Sequence, residues 1–167
     1  RPESFPHRAA ETSPLVLGLD IGTTTITCLA WEPGSGQVVV VGTVDNQTET
    51  TSRASRERGH SEWDSQQMLE TAYRCVADVV AQLGLRSRDV VGLGLTGQQH
   101  GVVVVDEELV PLTPFIGWRD QRGNEPLAEG GRSTVDEMLT RLGDDASERL
   151  GCRPATGYLG TTLYWMQ

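Results

Sequence analysis

A turn rich in glycine and threonine follows the first apolar run of the chain, and from position 20 it reads Asp-Ile-Gly-Thr-Thr-Thr. Such a turn between two strands exposes backbone amides, and Gly22 places no Cβ in the path of an approaching polyphosphate. Thr23 and Thr24 add hydroxyl donors, and Asp20 is placed to hold Mg²⁺ through water or to orient phosphates. An ordinary β-turn beside a threonine-rich strand would explain the same residues.

Three adjacent polar side chains, Gln98, Gln99 and His100, stand between two glycines after a later apolar run. In an α/β sheet, side chains at the carboxyl ends of parallel strands face the usual ligand crevice. Amides and an imidazole can donate or accept hydrogen bonds, which suits them to sugar hydroxyl groups. The alternative interpretation is a polar surface turn with a solvated histidine.

The third motif is Trp-Arg-Asp-Gln-Arg at positions 118–122. A tryptophan face beside a carboxylate and two guanidinium groups is suited to a polyol, because the ring of Trp118 packs on C–H bonds and Asp120 accepts hydroxyl protons. A core tryptophan next to a surface ion pair is the competing interpretation.

Gly92, Gly94 and Gly97 have the G-x-G-x-x-G spacing of a dinucleotide fingerprint. That fingerprint requires a strand before the glycines and a helix that opens at them. Here the first two glycines lie inside the apolar run, and the residues that follow are strand-like. The pattern therefore argues against a Rossmann site.

Composition excludes other classes of function. The 167 residues carry a net charge of −9, and all 14 basic residues are arginines. An acidic chain without a basic stripe repels the phosphate backbone of nucleic acids, and the missing lysine excludes a P-loop. No apolar run approaches the roughly 18 residues of a membrane span, and no signal segment opens the chain. We therefore expect a cytoplasmic protein without a membrane or nucleic-acid partner.

The three cysteines and His60 predict no further site. Cys28, Cys75 and Cys152 are widely separated, which favours reduced, mostly buried thiols over a zinc site or disulfides. His60 is expected to be a solvated loop residue.

The first half of the chain has the pattern of strands and a helix. Residues 1–13 are polar and hold two prolines, so we expect a disordered lead-in before an ordered part at 14–167. Apolar runs at 15–20, 26–31 and 37–44, joined by glycine-rich turns, predict an antiparallel meander. Apolar residues at helical spacing then predict a helix from Asp64 to a stop at Gly84.

The second half alternates further strands and helices. We predict a buried strand at 90–95, parallel to the first because a helix connects them, and another strand at 102–105. Helices follow from Ser133 or Thr134 to Leu142, up to Leu150, and from near Thr161. This order is typical of an actin-like (ribonuclease-H-like) ATPase domain, an α/β fold with a mixed sheet flanked by helices, here incomplete at the C-terminus.

Four segments in this order resemble the FGGY carbohydrate kinases. They are GLDIGTT at 18–24, GLTGQQHG at 94–101, WRDQR at 118–122 and ATGYLGTTLYW at 155–165. Within that family the segments are most similar to those of ketose kinases of the sedoheptulokinase and xylulokinase type.

The resemblance implies a phosphate- and Mg²⁺-binding loop at Asp20, Gly22, Thr23 and Thr24, with Asp20 at the metal. It implies a sugar site lined by Gln98, Gln99, His100, Trp118 and Asp120, with Arg122 bracing the loop. The expected activity of the full-length protein is ATP-dependent phosphorylation of a ketose such as sedoheptulose or xylulose. The family's catalytic base and its adenosine-binding second domain would lie beyond Gln167, so no catalytic residue is expected within this chain.

The sequence departs from the family's pattern at two positions. Many relatives have a basic residue where Thr27 stands, and Gln99 replaces a more usual methionine. Glycerol kinases place an Arg-Glu pair where Gln99 and His100 stand, which favours a ketose. A non-catalytic sugar sensor of actin-like fold and an actin-like ATPase or chaperone domain remain as alternatives, and a homodimer is compatible with the sequence.

Overall fold

The computed structural model describes residues 13–167, so the predicted lead-in at 1–13 lies, except for Ser13, outside the described residues. The described chain divides into two compact units, residues 13–45 with 72–97 and residues 46–71 with 98–167. Its strands are β1 (Leu15–Ile21), β2 (Thr25–Glu32), β3 (Gln37–Asp45), β4 (Glu62–Trp63), β5 (Val90–Gly97) and β6 (Phe115–Ile116). Its α-helices are α1 (Arg53–Glu57), α2 (Ser65–Leu83), α3 (Thr134–Leu142), α4 (Ala146–Leu150) and α5 (Leu159–Trp165).

The first unit contains a four-stranded mixed sheet in the order β3-β2-β1-β5. β1, β2 and β3 form the predicted antiparallel meander, because tight turns join each strand to the next. β5 runs parallel to β1, as predicted from the intervening helix.

Alternate residues of β1 and β2 form the core of this unit against α2. Cys28 and its neighbours on the same face are buried, as are the helix residues Cys75 and Val79. The Cys75 thiol lies 3.5 Å from the carbonyl oxygen of Gly42, and a Cβ on that glycine would lie 2.9 Å from Val79 Cγ2. Burial raises the pKa of both thiols. Cys152, in the other unit, is exposed.

β5 differs from its prediction as a buried strand. Val91, Leu93 and Leu95 are 72%, 55% and 69% exposed. The strand lies at the edge of the sheet, and within the described residues only β1 pairs with it. Apolar composition alone could not distinguish an edge strand from a central one.

The starts of α2 and α3 agree with the predictions from the sequence. Asp64 Oδ1 accepts hydrogen bonds from the backbone amides of Gln66 and Gln67 at the start of α2, and Gly84 ends that helix at a φ of +57°. Ser133 Oγ accepts from the amide of Asp136 at the start of α3. No helix among residues 13–167 combines the length and the apolar character that crossing a membrane requires.

The second unit is built around β6. This strand pairs with β4 on one side, and Ile116 bridges to Val102 on the other. The predicted strand at 102–105 was wrong. Val104 donates its amide to a side chain, Thr113 Oγ1, and Val105 is opposite Pro111, which has no amide hydrogen to donate. Residues 102–105 therefore form isolated bridges instead of a continuous strand.

Candidate functional site

The turn between β1 and β2 is closed by its own backbone. The amide of Gly22 donates to the carbonyl of Thr25 at 3.0 Å, and a Cβ on the glycine would lie 2.8 Å from that oxygen. Glycine is thus required by the turn itself. Asp20 and Thr24 are exposed and Thr23 is half-buried, so the carboxylate and at least one hydroxyl face solvent.

Asp20 lies on the face of the sheet opposite the buried core. It is directly across from Thr27 in the β1–β2 pair, and both residues line a groove of about 360 Å³ together with Gly18, Gly94 and Thr96. The hydroxyl of Thr27 shares a 3.0 Å hydrogen bond with that of Thr43.

The side chains of this loop suit a Mg²⁺ ion that is bound together with the phosphates of a nucleotide. Among residues 13–167 no cluster of three or more histidine, cysteine or acidic side chains could hold a metal alone. One carboxylate and hydroxyl groups are the donors that Mg²⁺ uses when nucleotide phosphates and water supply its other ligands.

In the second unit, His100 and Trp118 flank the same backbone bridge. Val102 and Ile116 exchange two backbone hydrogen bonds of 2.9 and 2.8 Å in an antiparallel bridge. His100 lies two residues before Val102 and Trp118 two residues after Ile116, so both follow the same end of this antiparallel bridge. Both are exposed, as is Gln99, whereas Gln98 is half-buried.

Asp120 has a different environment from the one expected of a sugar ligand. It is 0% exposed, and its carboxylate accepts hydrogen bonds from the Ser61 amide at 2.7 Å and from the Arg122 amide at 2.8 Å. The Arg122 guanidinium adds two more, at 2.7 and 2.9 Å. Four donors therefore engage both oxygens of Asp120 and tie its carboxylate to the loop, and its contact with a sugar stays a prediction. Trp118, Arg119 and Gln121 are the exposed members of the motif, and the Arg119 guanidinium lies 5.1 Å from the centre of the Trp118 ring.

Arg122 joins this loop to other segments of the unit. Its guanidinium contacts Glu62 Oε1 at 2.6 Å and lies 4.8 Å from the centre of the Trp165 ring. Burial lowers the pKa of Arg122, but the hydrogen bonds and charges of Asp120 and Glu62 outweigh it and raise that pKa above its usual value. The guanidinium is therefore a permanent cation inside the unit.

The expectation for His60 was wrong. It is 8% exposed, its Nε2 is 2.8 Å from Glu125 Oε1, and its ring meets that of Trp165 edge-on. The carboxylate partner is 65 positions away along the chain, so neighbouring residues gave no sign of this burial.

Sequence reasoning missed the role of the segment before α5. The ring of Tyr158 stacks on that of His100, with 4.3 Å between centroids. Thr156 Oγ1 donates to the backbone carbonyl of Asp120 at 3.0 Å, and a Cβ on Gly157 would lie only 2.0 Å from the carbonyl oxygen of Trp118. The glycine in this segment was a signal of close approach, but its partner was not evident from the sequence.

Known proteins resemble this chain along most of its length. It is 27% identical over 154 residues to a xylulose kinase of Staphylococcus epidermidis, which covers 92% of this chain and 27% of that protein. A glycerol kinase of Rhizobium rhizogenes is 28% identical over 152 residues, which covers 90% of this chain and 28% of that protein. The chain thus spans little more than a quarter of the length of these relatives.

The fold is shared with solved structures. A crystal structure of a xyloylose kinase from Brucella ovis matches with a TM-score of 0.75 and 22% identity, covering 91% of this chain and 29% of that one. The mixed sheet and this match confirm the predicted actin-like fold class. A family model described as the N-terminal domain of the FGGY family of carbohydrate kinases matches residues 15–167. The chain therefore belongs to the FGGY family of carbohydrate kinases.

Proposed function

We propose that this chain is the N-terminal part of a longer kinase that transfers the γ-phosphoryl group of ATP to a hydroxyl group of a ketose. The observation that carries the proposal is that one segment contacts both His100 and Trp118. The ring of Tyr158 stacks on that of His100, and the adjacent Gly157 lies against the backbone carbonyl of Trp118, while both His100 and Trp118 are exposed. An imidazole that can exchange hydrogen bonds and an indole face that can cover C–H bonds are the two surfaces that a polyol needs.

The sugar class rests on the residues beside that pair. Gln99 is exposed next to His100 and supplies an amide that can both donate and accept. The xylulose kinase relative favours a five-carbon ketose such as xylulose, and sedoheptulose is the second candidate from the sequence motifs. Glycerol is the less favoured substrate, because the Arg-Glu pair that the family resemblance associates with it is absent here.

The phosphate-binding role falls on the β1–β2 turn. Asp20, Thr23 and Thr24 would hold the Mg²⁺ and phosphates of ATP, and Gly22 closes the turn that presents them. The bound Mg²⁺ would neutralise charge that develops during phosphoryl transfer. A carboxylate base for the sugar hydroxyl is expected outside this chain, so the residues described here bind and position rather than exchange the proton.

A sugar sensor without kinase activity is the second candidate. One observation favours it: Thr27 stands where the family resemblance implies a basic residue, and its hydroxyl shares a hydrogen bond with that of Thr43. Under this alternative the full-length protein binds ketose and leaves ATP unchanged.

Sugar-stimulated release of ADP distinguishes the two candidates. The full-length protein, supplied with ATP and Mg²⁺, should release ADP when xylulose or sedoheptulose is added and should yield a sugar phosphate detectable by mass spectrometry. Residues 1–167 alone should release none under the same conditions. Tight ketose binding by the full-length protein without any ADP release would support the sensor, and ketose-dependent turnover by residues 1–167 would overturn the assignment of the base to another segment.

A further inference from the structure

Tyr158 lies outside the motifs to which the sequence assigns ligands, yet its ring lies flat on that of His100. The centroids are 4.3 Å apart and the ring planes differ by 3°. Tyr158 is half-buried, and its extended backbone immediately precedes α5. Stacked aromatic rings attract each other and limit each other's rotation. The tyrosine is therefore placed to fix the plane of the imidazole.

The backbone that carries Tyr158 is itself held against the tryptophan motif. Gly157 has a φ of +78°, and its Cα faces the carbonyl of Trp118 so closely that a Cβ would lie 2.0 Å from that oxygen. Thr156 is hydrogen-bonded to the carbonyl of Asp120. The segment thus anchors to one half of the proposed sugar site and lays its aromatic ring on the other half.

His100 needs such a support because little else in the described residues orients its ring. Its backbone φ is +60°, a left-handed conformation that is uncommon outside glycine. Within residues 13–167 its imidazole forms no hydrogen bond or ion pair, and the residue is exposed. A ring stacked on one face keeps both nitrogen atoms at its free edge, where they can reach a hydroxyl group.

We propose that Tyr158 is a positioning residue that holds the His100 imidazole in the orientation required for a sugar hydroxyl. The proposal deepens the ketose-kinase function and rests on it. Tyr158 acts through His100, so its contribution to sugar binding should disappear when the imidazole is removed.

A double-mutant cycle in the full-length protein tests this dependence. Tyr158→Leu should raise KM for ketose by about two- to tenfold, the effect expected from one lost aromatic stack, and should change kcat less than KM. In a His100→Ala background, Tyr158→Leu should change KM by less than about twofold, because the imidazole through which Tyr158 acts is already absent. Tyr158→Phe keeps the ring and should restore KM to within about twofold of the wild-type value.

The controls separate positioning from stability. Tyr73→Leu removes an exposed tyrosine on α2 and should leave KM unchanged. Denaturant midpoints of all variants show whether each is folded at the assay temperature. Equal effects of Tyr158→Leu with and without His100 would overturn the positioning role, as would a failure of Tyr158→Phe to restore KM in a folded protein.

A measurement without sugar keeps this proposal distinct from the kinase function. Protons of the His100 ring lie over the tyrosine ring, so their NMR resonances should move downfield in Tyr158→Leu and stay near the wild-type position in Tyr158→Phe. Unmoved resonances would overturn the stack. The expected shift in a full-length protein that neither binds nor phosphorylates any ketose would instead refute the proposed function alone.

Discussion

His100 combines an exposed imidazole with a strained backbone and a stacked neighbour. Strain of this kind persists where the surroundings enforce it, and it is concentrated at functional sites. In the full-length protein, His100→Ala should raise KM for ketose by about tenfold to a hundredfold, since a lost hydrogen bond to a sugar hydroxyl costs about 1–3 kcal/mol. KM for ATP should change little. An unchanged KM for ketose in steady-state assays would indicate that residues 98–100 are a surface turn without a role in sugar binding.

Asp20 should act on turnover rather than on sugar affinity. Asp20→Asn in the full-length protein should lower kcat by at least about a hundredfold, because electrostatic positioning of the transferred phosphoryl group is a major part of catalysis. Ketose affinity, measured by calorimetry without nucleotide, should stay within about threefold.

The matched control for this variant is Asp78→Asn, which neutralises an exposed carboxylate on α2. It should leave kcat unchanged. Normal turnover of Asp20→Asn would show that Asp20 does not bind the metal or position the phosphates.

The sequence identified side chains suited to sugar binding but not which of them a ligand could reach. Trp118 and Asp120 are two positions apart, and residue type alone suits both to a polyol. The structure separates them because Ser61 and Arg122 surround the carboxylate. Ser61 lies 59 positions before Asp120, so no local pattern could have predicted the burial.

At the scale of elements, Gly157 is the residue through which the segment before α5 contacts the tryptophan motif at 118–122. Gly157→Ala should destabilise the protein by more than about 3 kcal/mol, because a Cβ would overlap the Trp118 carbonyl and the φ of +78° is unfavourable for alanine. Gly151→Ala provides the control: its φ is +70°, but nothing lies within 4 Å of the new Cβ.

Denaturant unfolding measures both variants. Gly151→Ala should cost only about 1–2 kcal/mol, the strain of the backbone alone. Equal free energies of unfolding for the two variants would show that the close contact at Trp118 does not restrict the segment.

Arg122 links three segments through a buried charge. Arg122→Met should lower the free energy of unfolding by about 3–5 kcal/mol, because the buried Asp120 carboxylate loses its cation. Arg141→Met breaks an exposed i,i+4 pair on α3 with Glu137 and should cost less than about 1 kcal/mol. Similar losses in urea titrations of the two variants would contradict a structural role for the buried ion pair.

The elements predicted best are those whose partners are close in sequence. β1, β2 and β3 were correct because turns at Gly22 and in residues 33–36 force neighbouring strands to pair. α2 and α3 were correct because their caps, Asp64 and Ser133, are local. The exposure of β5 and the loss of a strand at 102–105 depend on which segments lie alongside, and a pattern of apolar residues carries no such information.

At the scale of the whole molecule, the two predicted ligand-binding regions fall into different compact units. The predicted phosphate-binding turn belongs to residues 13–45 with 72–97, whereas His100, Trp118 and Tyr158 belong to residues 46–71 with 98–167. The chain spans 27% of the length of the xylulose kinase relative. Sugar binding and phosphate binding should therefore respond to separate sets of substitutions, as the variants at His100 and Asp20 are designed to show.

The selectivity constant kcat/KM of the full-length protein for a ketose relative to glycerol tests the proposed kinase most directly. With ATP and Mg²⁺ saturating, xylulose or sedoheptulose should give a kcat/KM at least about tenfold above that of glycerol, because a site built to hydrogen-bond particular hydroxyl groups discriminates strongly against a substrate that lacks them. His100→Ala should reduce that preference, while Asp78→Asn should leave it unchanged. A preference for glycerol, or no turnover of any polyol by a folded full-length protein, would contradict the assignment of His100 and Trp118 to a ketose.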